Sequence, residues 1–294
     1  MIKACMRVGF ALAARALVLA LGIGLHGAHA EAKREDPYER ALAQWKSNAV
    51  FGAKILNGDY ASIQTHPWQA GLLIASVPNN LYAHFCGGAL IADQWVLTAA
   101  HCVAPRVARP TDVQVLLGTD RLNFGGTRFD VSKIWVAPGY DAQTLDHDVA
   151  LIELKSPVSH VPIVVPTAAV DQHVFQSKVT FNIAGWGNLY DWGTKSVRLM
   201  QVNVPFVTLA TCTAPGAYDS KRIKESMFCA GYAEGRYDAC EGDSGGPAAV
   251  LIDEKPALVG VISWATDCGV ARKYGVYARL PLEWIEKTRT GMPN

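Results

Sequence analysis

Apolar residues in this chain come in short runs, broken at close intervals by glycine, proline and charged residues. Gln69 to Ile74, Cys86 to Ile91, Val113 to Leu117 and Val149 to Leu154 are runs of this kind, too short for buried helices and of the right length for strands. Val179-Thr180-Phe181-Asn182-Ile183 alternates apolar with polar residues, which predicts a strand with one face buried and one wet. Many short strands with frequent turn signals predict an all-β domain, built of barrels or sandwiches. Helical signal is confined to the two ends. Tyr38 to Asn48 is helix-compatible, and Leu282, Trp284, Ile285 and Thr288 recur at mixed helical spacing.

The N-terminal pattern is different. Lys3, Arg7 and Arg15 precede an apolar run from Ala16 to Leu25, and Ala28-His29-Ala30 fits the small-x-small rule for cleavage before Glu31. The run is about half the ~20 residues that a membrane-spanning helix needs, so residues 1–30 read as a signal peptide rather than an anchor. The mature chain is then expected to be soluble and secreted, or periplasmic in a bacterium. Polar, charged residues 31–54 follow as a short propeptide ahead of a 55–294 domain. At 294 residues and 50% hydrophobic content the chain can bury a large core. A net charge of +1 gives no reason to expect nucleic acid or an anionic membrane surface as partner. Cys5 leaves with the signal peptide, and Cys86, Cys102, Cys212, Cys229, Cys240 and Cys268 remain, an even set that reads as disulfides in an oxidising compartment. Spacing alone does not choose their pairing. No Cys-x-x-Cys pair or histidine cluster supports zinc.

One stretch carries chemistry. Tyr237-Asp238-Ala239-Cys240-Glu241-Gly242-Asp243-Ser244-Gly245-Gly246-Pro247 puts a serine in a glycine-rich loop pinned by a cysteine. A serine hydroxyl is a poor nucleophile until a base takes its proton and donors receive the developing oxyanion. The N–H groups of Gly242 and Ser244 are suited to be those donors, because glycine lets the backbone curl around a carbonyl oxygen. A base stands in Leu97-Thr98-Ala99-Ala100-His101-Cys102, since imidazole changes charge near neutrality. An orienting acid stands in Asp146-His147-Asp148-Val149-Ala150-Leu151-Ile152, where Asp148 abuts an apolar run and needs a partner once buried.

These three motifs, in the order His101, Asp148, Ser244, resemble Thr-Ala-Ala-His-Cys, Asp-Ile-Ala-Leu and Gly-Asp-Ser-Gly-Gly-Pro of the trypsin/chymotrypsin family of serine proteases. The resemblance runs from about Ile55 to Leu282-Glu283-Trp284-Ile285. It implies two six-stranded antiparallel β-barrels with the active site between them and a short C-terminal helix. It also implies the pairs Cys86–Cys102, Cys212–Cys229 and Cys240–Cys268, and a hydrogen bond from Ser263 to the Asp148 carboxylate. Asp238 takes the place of the carboxylate at the base of the trypsin specificity pocket, with Ser263, Trp264, Ala265 and Gly275 as walls. Lys54-Ile55-Leu56-Asn57-Gly58 resembles the family's activation site, so a trypsin-like activator would cut at Lys54–Ile55 and the new Ile55 ammonium would pair with Asp243. The function implied is an endopeptidase cutting protein or peptide substrates after Arg or Lys.

Three positions depart from the family pattern. Asn57 replaces a glycine, which asparagine tolerates best among other residues. Ala265 replaces the usual glycine at the pocket mouth, and Tyr274 stands where trypsin has proline and where a tyrosine accompanies sodium sensitivity in some relatives. Between Leu117 and Val131 only Asp120 and Asp130 are acidic, so calcium is not expected and no cofactor is implied. His66, His84, His147, His160 and His173 are scattered singly and read as core or solvated. Tyr190 and Trp192 follow Gly185-Trp186-Gly187 and could meet substrate beyond the cleaved bond. A catalytically silent binding module on the same fold is the alternative from another class. An esterase of another fold is disfavoured, since no Gly-x-Ser-x-Gly follows a parallel-sheet pattern.

Overall fold

The computed structural model describes residues 36–46, 58–167, 174–176, 178–188 and 195–291. The signal-like segment, the Lys54–Ile55 bond with Asn57, His173, Tyr190 and Trp192 lie outside the described residues. Among the described residues, thirteen strands carry the fold.

β2 (Gln69–Ile74), β3 (His84–Ala92), β4 (Trp95–Thr98), β5 (Val113–Leu117), β6 (Thr127–Val136) and β7 (Ala150–Leu154) close into a barrel in the order β2-β3-β4-β7-β6-β5. Every neighbouring pair is antiparallel. β2 is buried at all six positions, which is why it reads as a continuous apolar run rather than an alternating one. Leu72, Leu90, Leu97, Val115 and Ile152 fill the interior.

The second barrel is closed by β8 (Thr180–Gly185), β9 (Met200–Val207), β10 (Met227–Ala230), β11 (Pro247–Ile252), β12 (Lys255–Trp264) and β13 (Gly275–Arg279). They are hydrogen-bonded in the order β9-β10-β13-β12-β11-β8, and β8 returns to pair with β9. The two-residue β1 (Asp59–Tyr60) adds to β9. Phe181 and Ile183 of β8 point into the core while Thr180 is exposed, as the alternation requires. Phe228 stacks on Tyr277 at 5.1 Å and meets Phe181 at 4.9 Å, so the centre of this barrel is aromatic. Closure leaves neither six-stranded sheet with free edges, and all-β architecture in two barrels is the expected fold.

Helices are few among the described residues: α1 (Pro37–Lys46), three single turns α2 (Asn80–Ala83), α3 (Ala100–Val103) and α4 (Leu209–Cys212), and the C-terminal α5 (Leu282–Thr290). The single turns escape a periodicity argument because one turn holds no repeat. α5 ends at Gly291, whose φ of 70° is the left-handed conformation that closes a helix without a Cβ penalty. Among the described residues no helix is long and apolar enough to cross a membrane.

Candidate active site

Strand register assembles the site. β4 and β7 run antiparallel with Thr98 opposite Ala150, so the residues just after β4 lie beside those just before β7. That brings His101, on the single turn α3, against Asp148. The His101 Nδ1 lies 2.7 Å from Asp148 Oδ2, and the His101 backbone N–H donates to Oδ1 at 2.8 Å. Ser263 Oγ, near the end of β12 in the other barrel, donates to the same Oδ2 at 2.6 Å. The Asp148 side chain is fully buried, so these donors carry the whole task of satisfying it, and they fix the imidazole with Nε2 as its free nitrogen. His101 itself keeps 15% of its side chain open to solvent.

Ser244 arrives from the loop ahead of β11. Its carbonyl accepts the Gly87 N–H at 2.8 Å, tying the second barrel's loop to β3 of the first. Close approach demands glycine here, because a Cβ on Gly87 would sit 2.9 Å from the Gly246 Cα. Thr98 Oγ1 in turn donates to the Gly87 carbonyl at 2.7 Å. The Cys86–Cys102 disulfide passes beneath, with the Cys102 sulfur 3.6 Å from the Ser244 carbonyl oxygen and 3.7 Å from His101 Nε2. The serine hydroxyl makes no hydrogen bond to His101 among the described residues, a looseness common in sites without substrate.

The loop that carries Ser244 has a telling pattern of donors. The Asp243 N–H reaches the Cys240 carbonyl, the Gly245 N–H reaches Ile262, and the Gly246 N–H reaches Asp243. Among the described residues the Gly242 and Ser244 N–H groups are left without such partners. Gly242 and Gly245 hold φ of 92° and 80°, a left-handed backbone that glycine alone adopts at no cost.

Asp243 points the other way, into the protein. It is fully buried, and its carboxylate accepts from the Gly187 N–H at 2.7 Å and the Cys240 N–H at 3.0 Å. A Cβ on Gly185 or Gly187 would overlap this carboxylate, so both glycines form its cradle. Burial pushes its pKa up to about 7, and the two N–H groups only partly offset that.

Asp238 is buried beside the start of β13. Its Oδ2 accepts from the Gly269 N–H at 3.2 Å. A Cβ on Gly275 would lie 3.1 Å from its Oδ1 and 2.9 Å from the Tyr277 hydroxyl, so the glycine keeps open the approach to both. Burial, reinforced by the nearby Asp238 charge, raises the Tyr277 hydroxyl well above its ordinary pKa and keeps it neutral. Ser263 and Trp264 end β12 on the neighbouring strand, and Ala265 follows directly after it. Cys240–Cys268 ties the Asp238 loop to this wall, and Cys212–Cys229 joins α4 to β10. Tyr274 is buried, and its carbonyl takes the Tyr218 hydroxyl at 2.8 Å.

The scattered histidines take ordinary places. His66 meets Asn182 at 2.8 Å, His147 meets Asp146 at 3.0 Å, and His160 packs edge-on against Phe129. His84 is fully buried edge-on to Trp186, and burial holds its ring well below the ordinary pKa, with the Lys195 amine adding to the effect. Lys195 is itself buried and donates to the His84 carbonyl; burial, and then the Arg40 charge, lower it to about 7. Neither Lys195 nor the glycine cradle stands out in sequence. Cys86, Cys102 and His101 are the one group of metal-type ligands within reach of each other among the described residues. Both cysteines are spent in a disulfide, so the set offers no thiolate to a metal.

Comparison with known proteins adds the lineage. The family model described as Trypsin matches residues 55–285. The chain belongs to the trypsin family of serine proteases. Two horseshoe-crab proteins are 34% identical to it over 268 residues: clotting factor C of Tachypleus tridentatus and Limulus clotting factor C of Carcinoscorpius rotundicauda. The alignment takes in 82% of this chain and 26% of each relative, so the chain spans about a quarter of their length.

Proposed function

We propose that this member of the trypsin family is a secreted serine endopeptidase that cuts after Arg or Lys and is made as a zymogen. The observation that carries the reading is the Asp148 carboxylate, buried and shared by the His101 ring, the His101 backbone and Ser263, within a disulfide's reach of a loop whose Gly242 and Ser244 amides are uncommitted.

His101 Nε2 takes the Ser244 Oγ proton as Oγ bonds to the substrate carbonyl carbon. The carbonyl π electrons move to oxygen, and the Gly242 and Ser244 N–H groups receive the oxyanion. His101 then gives its proton to the leaving amine as the C–N bond breaks, which leaves an acyl-serine. Water repeats the sequence, losing its proton to His101, and the acid product departs. Asp148 stabilises the imidazolium without taking the proton.

Asp238 supports the preference for basic side chains. A carboxylate beneath a glycine-opened approach offers a cation charge-assisted hydrogen bonds, and an apolar side chain would desolvate it without return. Asp243 supports the zymogen reading, as a buried acid with two neutral donors lacks only a cation to be comfortable as a carboxylate. Cutting at Lys54–Ile55 would supply one in the Ile55 ammonium. Residues 1–30 would act as the signal peptide and 31–54 as the propeptide. A trypsin-like protease, or the enzyme itself, would be the activator.

The test is labelling of Ser244 by a serine-directed phosphonate before and after tryptic cleavage, with N-terminal sequencing and a peptide panel varied at the cleaved residue. Labelling after the cut with Arg or Lys preferred is the expected result. No labelling of the cut chain would leave the silent binding module as the function.

A further inference from the structure

α1 is not an idle leader. Asp36 caps it, accepting the Tyr38 N–H on Oδ1 at 3.0 Å, with Pro37 at its first position and Glu39 and Lys46 set favourably along its dipole. A helix this short is marginal alone in water, so docking must hold it. Tyr38 and Ala41 are buried against the first barrel, and the Tyr38 ring meets Phe85 edge-on at 5.4 Å.

Arg106 makes the docking specific. It is only 4% exposed, and among the described residues both carboxylates that pair with it come from this segment: Asp36 at 3.1 Å and Glu39 at 2.6 Å. Its guanidinium also lies 4.1 Å over the Tyr38 ring. Arg40 completes the clasp, reaching Glu241 at 2.7 Å. Glu241 is the residue before Gly242, and Arg40, Ala41, Phe85 and Gly242 line one crevice. The helix therefore borders Gly242 from the side of Phe85. An attacked carbonyl between Ser244 and Gly242 would have its cleaved residue toward Asp238 and its leaving segment toward Phe85.

We propose that α1 is an intramolecular cap seated on the leaving-group side of the Ser244 cleft, and that the face formed by Phe85, Arg106 and Glu241 is built to hold it. The cap rests on the reading of Ser244 as nucleophile, and its release on the cut after Lys54. While residues 47–57 tether it, the helix faces its groove at an effective concentration on the order of mM. After the cut the same contacts are bimolecular, and at working dilution the fragment leaves. One cleavage thus frees Ile55 and clears the leaving-group side.

The test needs no turnover. In the intact chain carrying Ser244→Ala, hydrogen exchange of the α1 amides should run at least tenfold slower than unfolded rates. Tyr38→Ala with Arg40→Ala should abolish that protection and leave the barrel strands unchanged. In the cut Ser244→Ala chain a peptide of residues 36–46 should bind and be displaced by a substrate peptide extending three residues past the cleaved bond, and not by one ending there. Unprotected α1 amides, or failure of the longer peptide to displace, would overturn the cap. Catalytic silence with both binding results intact would sink only the function proposed above.

Discussion

Replacing Asp243 by Asn should act with opposite sign before and after activation. In the intact chain the fully buried carboxyl has its pKa raised from 3.8 to about 7, chiefly by burial. At ~1.4 kcal/mol per unit that is about 4 kcal/mol. Below pH ~4 both folded and unfolded chains hold the proton and the group costs nothing. As pH rises the unfolded carboxyl ionises first, so stability is lost progressively and the full ~4 kcal/mol is gone above pH ~7. Asn removes this cost, but it offers one acceptor oxygen where the carboxylate offers two, so either the Gly187 or the Cys240 N–H is orphaned at ~1–3 kcal/mol. The intact variant should therefore be about 1–3 kcal/mol more stable than its parent at pH 8 and less stable at pH 4.

In the cut chain an Ile55 ammonium at that site would reverse the balance. Breaking a buried pair by removing one partner costs ~3–5 kcal/mol, so the same substitution should destabilise the cut form at pH 8. The assay is urea denaturation of four proteins in a Ser244→Ala background, intact and cut, each with and without Asp243→Asn, at pH 4 and 8. The same sign in both forms at pH 8 would refute the pairing. A pH-independent difference between the intact proteins would refute the buried, proton-holding carboxyl.

Asp148→Asn should lower kcat by ~10⁴ in the cut enzyme with KM nearly unchanged, since the imidazole loses its orienting acceptor; steady-state kinetics on a chromogenic Arg substrate reads this. Asp238→Ser should cost ~3–5 kcal/mol in transition-state binding, two to four decades of kcat/KM on Arg and Lys substrates. A parent enzyme preferring Phe or Leu over Arg would remove Asp238 from the pocket. Gly187→Ala should destabilise by ~2 kcal/mol or more, measured by urea denaturation, because its Cβ overlaps the Asp243 carboxylate and the N–H bond to it must break.

The parts of this molecule legible in sequence are those whose chemistry is local. A nucleophile loop must place amides and a hydroxyl within a few consecutive residues, so Gly242 to Gly246 announces itself. A carboxylate next to an apolar run must find a partner, which is why Asp148 could be paired with His101 before any strand register was known. Runs buried on both faces were bounded closely: β2 and β5 begin and end where the apolar runs do. β3 starts earlier than its run, at His84, because a neutral buried histidine packed on Trp186 belongs to the barrel although the residue type reads as polar.

What was not legible depends on surfaces that meet only in three dimensions. Nothing in the string Gly185-Trp186-Gly187 marks its two glycines as a cradle; that both admit the Asp243 side chain is a fact of tertiary approach. Arg106 is the sharper case. In sequence it is a cation in a proline-flanked loop, and a cation in a loop is normally solvated. In the structure it is buried, and the groups that make burial tolerable belong to a segment outside the matched domain, since Asp36 and Glu39 precede residue 55. A protease domain that had no use for that segment would gain by leaving this arginine in water, because desolvating a guanidinium costs several kcal/mol unless its charge is met. Its burial under Tyr38 is thus the strongest indication that barrel and N-terminal helix were shaped for each other, and that the boundary of the catalytic unit drawn at residue 55 divides a physical whole.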